Sequence, residues 1–405
     1  MPSNPQNLIR SWNTQANFSN GRVVMDRLTP PAFTRIRTPF VLTWREDNAV
    51  VANLDWGAKQ FSVYLPESLR VVQGIYLKIE CPATGSGANF KDYSGLQVIK
   101  SIRVLSGGTE AYVADVEKYL VDYCQSLTEE QLKEFARIHL GGSTSPGSGA
   151  RTYILPILLP NSPYMLRNGH DTRGFGVFPC FLGSNRLEIQ ITLNEAAYVA
   201  SDSADPPGSI GNGKCSLIYH QVEMTPNNVL KYSDLRGNYS IVNRRFTELT
   251  NDDQHYTAAQ ASGKEIVRWT TSQPQGVVSE IQVIAVATGA TRDRYSAHNY
   301  IKPTVMRVLA DTVVQKELDE PHKVDLESWC NGFTHPVDFP APGRICFACH
   351  CGESSHMYTG GYSMTLASNI VFELAFPSEC RWKIIAVQYQ RVTISTVGQL
   401  STSLE

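Results

Sequence analysis

A chain of 405 residues with 18% charged and 10% aromatic residues, 29 Gly and 22 Pro has room for two domains of about 200 residues. Its balance suits an all-β protein with turn-rich loops better than a helical bundle. The formal net charge of −2 names no charged partner, no apolar run approaches the ~18 residues of a membrane span, and nine scattered cysteines argue against a disulfide scaffold and for a reducing compartment.

Residues 1–35 lack clear periodicity and end at Pro30-Pro31, which reads as an N-terminal arm that orders only against something else. Its start is rich in Asn, Gln and Ser with no apolar core, so a signal peptide is not expected and the protein is expected to be soluble and made in the cytosol. The arm is locally basic: residues 1–45 hold Arg10, Arg22, Arg27, Arg35, Arg37 and Arg45 against the single acid Asp26. The first domain is expected over 36–225. Short alternations such as Phe61, Val63 and Leu65 open it, and Val71, Ile75, Leu77 and Ile79 alternate toward one face of a strand over Val71 to Glu80.

The period then changes. Val116, Tyr119, Leu120 and Tyr123 sit at helical spacing, and Thr128 with Gln131 forms a capping box before Leu132, Phe135 and Ala136. Gly141-Gly142 stops this excursion, which is expected to project away from the strands. Tyr153 to Leu159 reads as a short buried strand, Arg186 to Leu193 as an alternating one, and Ser216 to Met224 closes the domain. A connection is expected over 226–263 and a second domain over 264–395, with strands near Val277 to Ala287, Thr304 to Leu309, Arg344 to Cys351, Ile370 to Phe376 and Trp382 to Ile394. A short polar tail, 396–405, is expected at the end.

The two domains look like copies. Val71-Val72 with Ile75, Ala83-Thr84-Gly85, Ile99-Lys100 and Arg103-Val104-Leu105 recur in order as Val277-Val278 with Ile281, Ala287-Thr288-Gly289, Ile301-Lys302 and Arg307-Val308-Leu309, at offsets of 206, 204, 202 and 204. Ser184-Asn185 and Tyr219 to Met224 match Ser368-Asn369 and Tyr389 to Ile394 more weakly, at offsets of 184 and 170. Apolar strings recur by chance in any β-rich chain, yet matches in this order favour an internal duplication. The second copy shows no helical excursion as strong as the first.

Cys346-Phe347-Ala348-Cys349-His350 has the C-x-x-C-H form of a haem attachment string. In a strand, however, Cys346 and Cys349 face opposite ways. A zinc site of Cys349, Cys351 and His356 lacks a clear fourth ligand, so buried strand cysteines are the preferred reading, with no cofactor or metal expected. G-x-S-x-G, G-x-x-x-x-G-K-[ST] and H-E-x-x-H are absent from the sequence, and with them the common hydrolase, nucleotide and zincin signals.

Two tandem β-domains with a basic polar arm and no catalytic set resemble the double jelly-roll major capsid proteins of the adenovirus, tectivirus and large-DNA-virus lineage. The resemblance is carried by Gly95 to Ile102 followed by Ser106-Gly107-Gly108-Thr109-Glu110, by Tyr153 to Leu159, by Arg186 to Ile189 and by Ser216 to Tyr219. It implies an all-β chain of two tandem eight-stranded jelly rolls with a short helical excursion in the first. It further implies a structural, non-enzymatic role in the virion, where homotrimers form pseudo-hexagonal capsomers of an icosahedral DNA-virus shell assembled in the host cytoplasm or nucleus. The implied partners are other copies of the chain, minor capsid or penton proteins, and an internal membrane or the genome. The arm would meet the last two through Arg10, Arg22, Arg27, Arg35 and Arg37 on the inner face. The alternative is a carbohydrate-binding or carbohydrate-active double β-sandwich, with Trp269, Trp329 and Trp382 as exposed platforms.

Overall fold

The computed structural model describes residues 17–19, 22–24, 41–47, 60–65, 71–84, 89–91, 93–125, 127–141, 147–157, 180, 186–194, 199–200, 215–223, 239–250, 254–271, 276–288, 300–330, 342–347 and 361–404. In chain order its first part comprises β1 (Asn17–Ser19), β2 (Arg22–Val24), β3 (Val41–Asp47), β4 (Gln60–Tyr64), β5 (Val71–Cys81), β6 (Ile99–Ser106), β7 (Thr109–Asp115), α1 (Val116–Gln125), α2 (Glu129–His139), β8 (Arg151–Ile157), β9 (Leu187–Leu193) and β10 (Cys215–Glu223). The second part comprises β11 (Tyr239–Glu248), β12 (Gln254–Tyr256), α3 (Ala258–Gly263), β13 (Val267–Thr271), β14 (Val277–Ala287), β15 (Val305–Ala310), β16 (Val313–Leu318), α4 (Pro321–Cys330), β17 (Gly343–Cys346), β18 (Gly361–Ser363), β19 (Ile370–Ala375), β20 (Cys380–Ile394) and β21 (Leu400–Leu404).

The strands form two barrels of the same topology. In the first, β3-β10-β5-β8 faces β4-β9-β6-β7; in the second, β11-β20-β14-β17 faces β13-β19-β15-β16. Every pairing is antiparallel. The duplication extends to irregularities. The register of β5 on β10 slips beside Gln73, and that of β14 on β20 slips beside Ser279, 206 positions later. The β6–β7 and β15–β16 hairpins both slip one residue past Val104 and Val308, 204 positions apart. Both hairpins turn through two residues of positive φ, Gly107-Gly108 in one and Asp311-Thr312 in the other. This is the turn whose twist matches that of the strands. Asp311 tolerates the left-handed region because its carboxylate accepts the backbone N–H groups of Ser368 (2.8 Å) and Asn369 (3.0 Å).

Alternation along the strands fills the two cores. Val72, Ile75, Leu77 and Ile79 of β5 meet Ile189, Ile191 and Leu193 of β9 in the first, and Ile281, Val283 and Ala285 of β14 meet Phe372 and Leu374 of β19 in the second. The helices α1 and α2 do not project away from the strands, contrary to the expectation. Leu120, Val121, Cys124, Leu132, Phe135 and Ala136 join the first core, because the helical stripe is apolar and would otherwise face water. The capping box is formed as read: Thr128 Oγ1 accepts from Gln131 N (3.3 Å) and Gln131 Oε1 accepts from Thr128 N (2.9 Å).

The second copy carries one helix after its hairpin, α4, where the first carries two, so its helical excursion is the weaker, as expected. Other expectations need correction. The expected connection 226–263 contains β11, which is an integral strand beside β20 over its whole length, and the expected tail contains β21, paired to β20 over Gln390–Ile394. Polar side chains disguised both, since a strand needs only one apolar face or a partner edge. The match of Tyr219 with Tyr389 is out of register by three. Tyr219 lies opposite Ile75 and Ala386 opposite Ile281, so ladder position equates Tyr219 with Ala386. A six-residue string cannot set register where a bulge intervenes.

The seat of α2 depends on one close approach. A Cβ at Gly95 would lie 2.8 Å from Leu140 Cα and 3.1 Å from the Tyr153 ring. Gly95→Ala is therefore expected to lose about 1–3 kcal/mol in urea unfolding, whereas Gly149→Ala, where an added Cβ meets nothing within 4 Å, is expected to be near neutral.

Candidate functional site at the junction of the two barrels

The polar residues of β14, Ser279, Glu280 and Gln282, alternate with apolar ones as though one face of the strand met water. Instead both faces are buried: Glu280 and Gln282 are each 1% exposed, and Ile284 and Val286 beyond them are buried too. The cover is the first barrel. Its β7 lies against β11 and β21 of the second, and the C-terminal hairpin sends Val392, Ile394 and Leu400 into the first core. Phe246 and Tyr300 pack against that core and also against the small cluster of Ile284, Val286 and Ile385.

Within this contact sits a buried charge cluster. Arg344 of β17, fully buried, donates through Nη1 to Glu280 Oε1 at 2.8 Å and through Nη2 to Gln125 Oε1 of α1. Arg244 of β11 donates to the same carboxylate oxygen at 3.1 Å, and Gln282 Nε2 does so at 2.6 Å. Cys346 Sγ lies 4.0 Å from the other oxygen, Glu280 Oε2. Two guanidinium groups and an amide thus converge on one carboxylate, and Gln125 ties the set to the first barrel. Nothing in the sequence marked these residues as partners, because they lie on four separate elements. Charges removed from water this completely cost several kcal/mol each unless matched by ionic hydrogen bonds.

A second device fixes α4 to the second barrel. Glu327 accepts the Cys346 backbone N–H at 2.9 Å and pairs with Lys316, whose ammonium also donates to Cys346 O at 2.8 Å. Val324 and Ser328 face inward, while Leu326 and Trp329 are exposed on the opposite side. On the outer face of the second sheet, Arg268, Glu373, Arg307 and Glu317 alternate in sign across β13, β19, β15 and β16.

The residues singled out from sequence are distributed as follows. Arg22 lies in β2, whose hairpin with β1 pairs through β18 with β14 of the second barrel. Arg10, Arg27, Arg35 and Arg37, like Cys349, His350, Cys351 and His356, lie outside the described residues. Cys346 is buried in β17, and among the described residues no group of three or more His, Cys, Asp or Glu is arranged to hold a metal ion. Burial pushes the thiols of Cys81, Cys215 and Cys380 up to about 12, which leaves them protonated and unreactive at neutral pH. The tryptophans form no common platform. Trp269 and Trp382 pack edge to face in the second core, at 6.3 Å and 88°, and only Trp329 of the three is exposed. The carbohydrate reading loses its support on this ground.

No protein-family model matches the chain, and no curated protein matches it in sequence. Solved structures do match. A chain of the PBCV-1 virus capsid superposes with a TM-score of 0.63 at 9% identity, covering 91% of this chain and 98% of its own. The Faustovirus major capsid protein gives 0.63 at 10% identity over 96% and 98%, and the mavirus major capsid protein 0.57 at 10% identity over 97% and 94%. The fold is a double jelly roll. The likeness extends through both barrels, and at this identity it rests on architecture, with the shared strand order and the tandem arrangement as its content.

Removing the Glu280 carboxylate leaves two guanidinium groups buried without their shared partner. Glu280→Ala is expected to destabilise the chain by about 3–5 kcal/mol, measured by calorimetry, whereas Gln125→Ala should cost less because it removes a neutral acceptor at one margin of the cluster.

Proposed function

We propose that the chain is a viral major capsid protein, a structural protein of the virion whose trimers form pseudo-hexagonal capsomers of an icosahedral shell. The observation that carries this reading is the pairing of two topologically identical barrels in one chain, together with the architectural likeness to capsid proteins over nearly their whole length. Three such chains supply six nearly equivalent barrels, which is what a hexagonal tile requires. Function then resides in subunit surfaces rather than in a catalytic pocket, and the partners are other copies of the chain, followed by minor capsid or penton proteins. Assembly takes place in the host cytoplasm or nucleus.

For the arm we propose an inward assignment. Arg10, Arg22, Arg27, Arg35 and Arg37 then meet genome phosphates, acidic lipid headgroups of an internal membrane, or an acidic inner protein. Each exposed Arg near an anionic surface contributes roughly 1 kcal/mol, screened by salt beyond a Debye length of about 8 Å.

Light scattering of the purified chain is expected to give about three times the 44.9 kDa chain mass, and a stable monomer or dimer would sink the reading. Deleting residues 1–20 should leave trimers intact but impair particle closure. Normal assembly of the truncated chain, or labelling of intact particles by antibody against the arm, contradicts the inward assignment.

A further inference from the structure

One buried titratable side chain has no part in the charge cluster. His139, in the last turn of α2 and 8% exposed, turns its ring onto the first barrel. Its Nδ1 lies 2.6 Å from Ile154 O of β8. The ring stacks on Tyr76 of β5 at 5.8 Å and 17°, and it leans on Phe135, one helical turn back, at 4.6 Å. A carbonyl only accepts, so Nδ1 carries the proton and the neutral ring already makes this bond. A second proton goes to Nε2 and places a cation in a site largely shut off from water. Removal from water holds the His139 pKa below its ordinary value of 6.5, outweighing the Ile154 carbonyl, which favours the cation. The charged groups around it are engaged elsewhere. Lys78 and Glu80 follow Tyr76 on the same face of β5 and pair with each other at 3.3 Å. Arg151 of β8 reaches Ser94 and the Phe90 ring. On α2, Glu129 pairs with Lys133 and Glu134 with Arg137, all exposed. Burial raises the pKa of Tyr123 on α1, which keeps it neutral.

This ring also fastens more than its own helix. Phe135 packs on Tyr123 of α1 at 5.4 Å, and in the short connection between the helices Leu127 N donates to Cys124 O at 3.1 Å. α1 ends in Gln125, which accepts from Arg344 of the second barrel. We propose that His139 is an acid-sensitive latch: neutral, it fastens α2 and with it α1 to the first barrel, and charged, it releases the helical pair and loosens the tie from Gln125 to the second barrel. The unlatched ring takes up its proton around its ordinary value of 6.5, whereas the seated ring does so only at lower pH. The latch is therefore closed above that value and opens as the pH falls through it. The ratio of open to closed chain rises by as much as about tenfold per pH unit until the seated ring itself titrates. The device belongs to the single chain and stands whether or not the chain forms capsomers.

Hydrogen exchange of the full chain, corrected for the intrinsic rate at each pH, tests the latch. Between about pH 7.5 and about pH 5, opening of the segment from Val116 to Leu140 is expected to rise about fivefold or more beyond any rise in the core strands β5 and β14. His139→Phe keeps a ring in the stack without a titrating nitrogen and should abolish this acid response. His139→Gln, which can still donate to Ile154 O, should abolish it too and serves where the Phe variant folds poorly. Replacing an exposed histidine, His255→Gln, should leave the response intact. Carbon-13 resonances of the histidine rings should show His139 titrating below 6.5. An acid response that persists in the His139 variants, helices that open no faster than the strands, or a His139 that titrates at or above 6.5 overturns the latch. Loss of the response in His255→Gln overturns it as well, by assigning the acid sensitivity to another ring.

Discussion

The arrangement of the two barrels depends on a single buried carboxylate. Glu280 is held by Arg344 and Arg244 and by Gln282, and Arg344 extends the set to Gln125 on the other barrel. An ion cluster of this kind contributes little net stability compared with a well-packed apolar equivalent, but it penalises any arrangement in which its members separate. Apolar surfaces slide at modest cost, whereas a guanidinium that leaves its carboxylate inside a protein does not. The cluster therefore acts on the angle and register between the barrels, and the flanking contacts of Ile284, Val286, Ile385, Phe246 and Tyr300 supply the dispersion and hydrophobic attraction around it.

That division of labour explains why the copies diverge where they do. Inside the barrels the duplication is kept down to single bulged residues, because a slip by one residue would turn every core side chain outward. On the outer sheet faces the copies differ freely in chemistry. One carries Glu280 and Arg344, the other Gly74 and Pro156.

Much of the fold was legible in the sequence, and the reasons are local. β5 and β14 stand out as eleven-residue runs in which apolar residues recur at every second position from Ile75 and from Ile281, and α2 because a capping box precedes an amphipathic stripe. α4 was missed because its apolar residues lie on both faces, Val324 inward and Leu326 and Trp329 outward, so that no stripe emerges. β21 and β11 were hidden by Ser, Thr and Arg, whose place in a sheet follows from the long edge of β20. The charge cluster was illegible for a stronger reason. Alternation in β14 correctly implied one core face, but nothing in a single strand tells whether its polar face meets water or another domain.

The central proposal is that three copies of this two-barrel chain close into one hexagonal tile. Electron-microscopic class averages of the purified oligomer, viewed along its axis, test that claim most directly. The account predicts six density lobes in a hexagonal outline with three-fold symmetry, alternating between two slightly different lobe-to-lobe contacts. A two-fold particle, an open chain of barrels, or a ring in which first barrels contact only first barrels would contradict it.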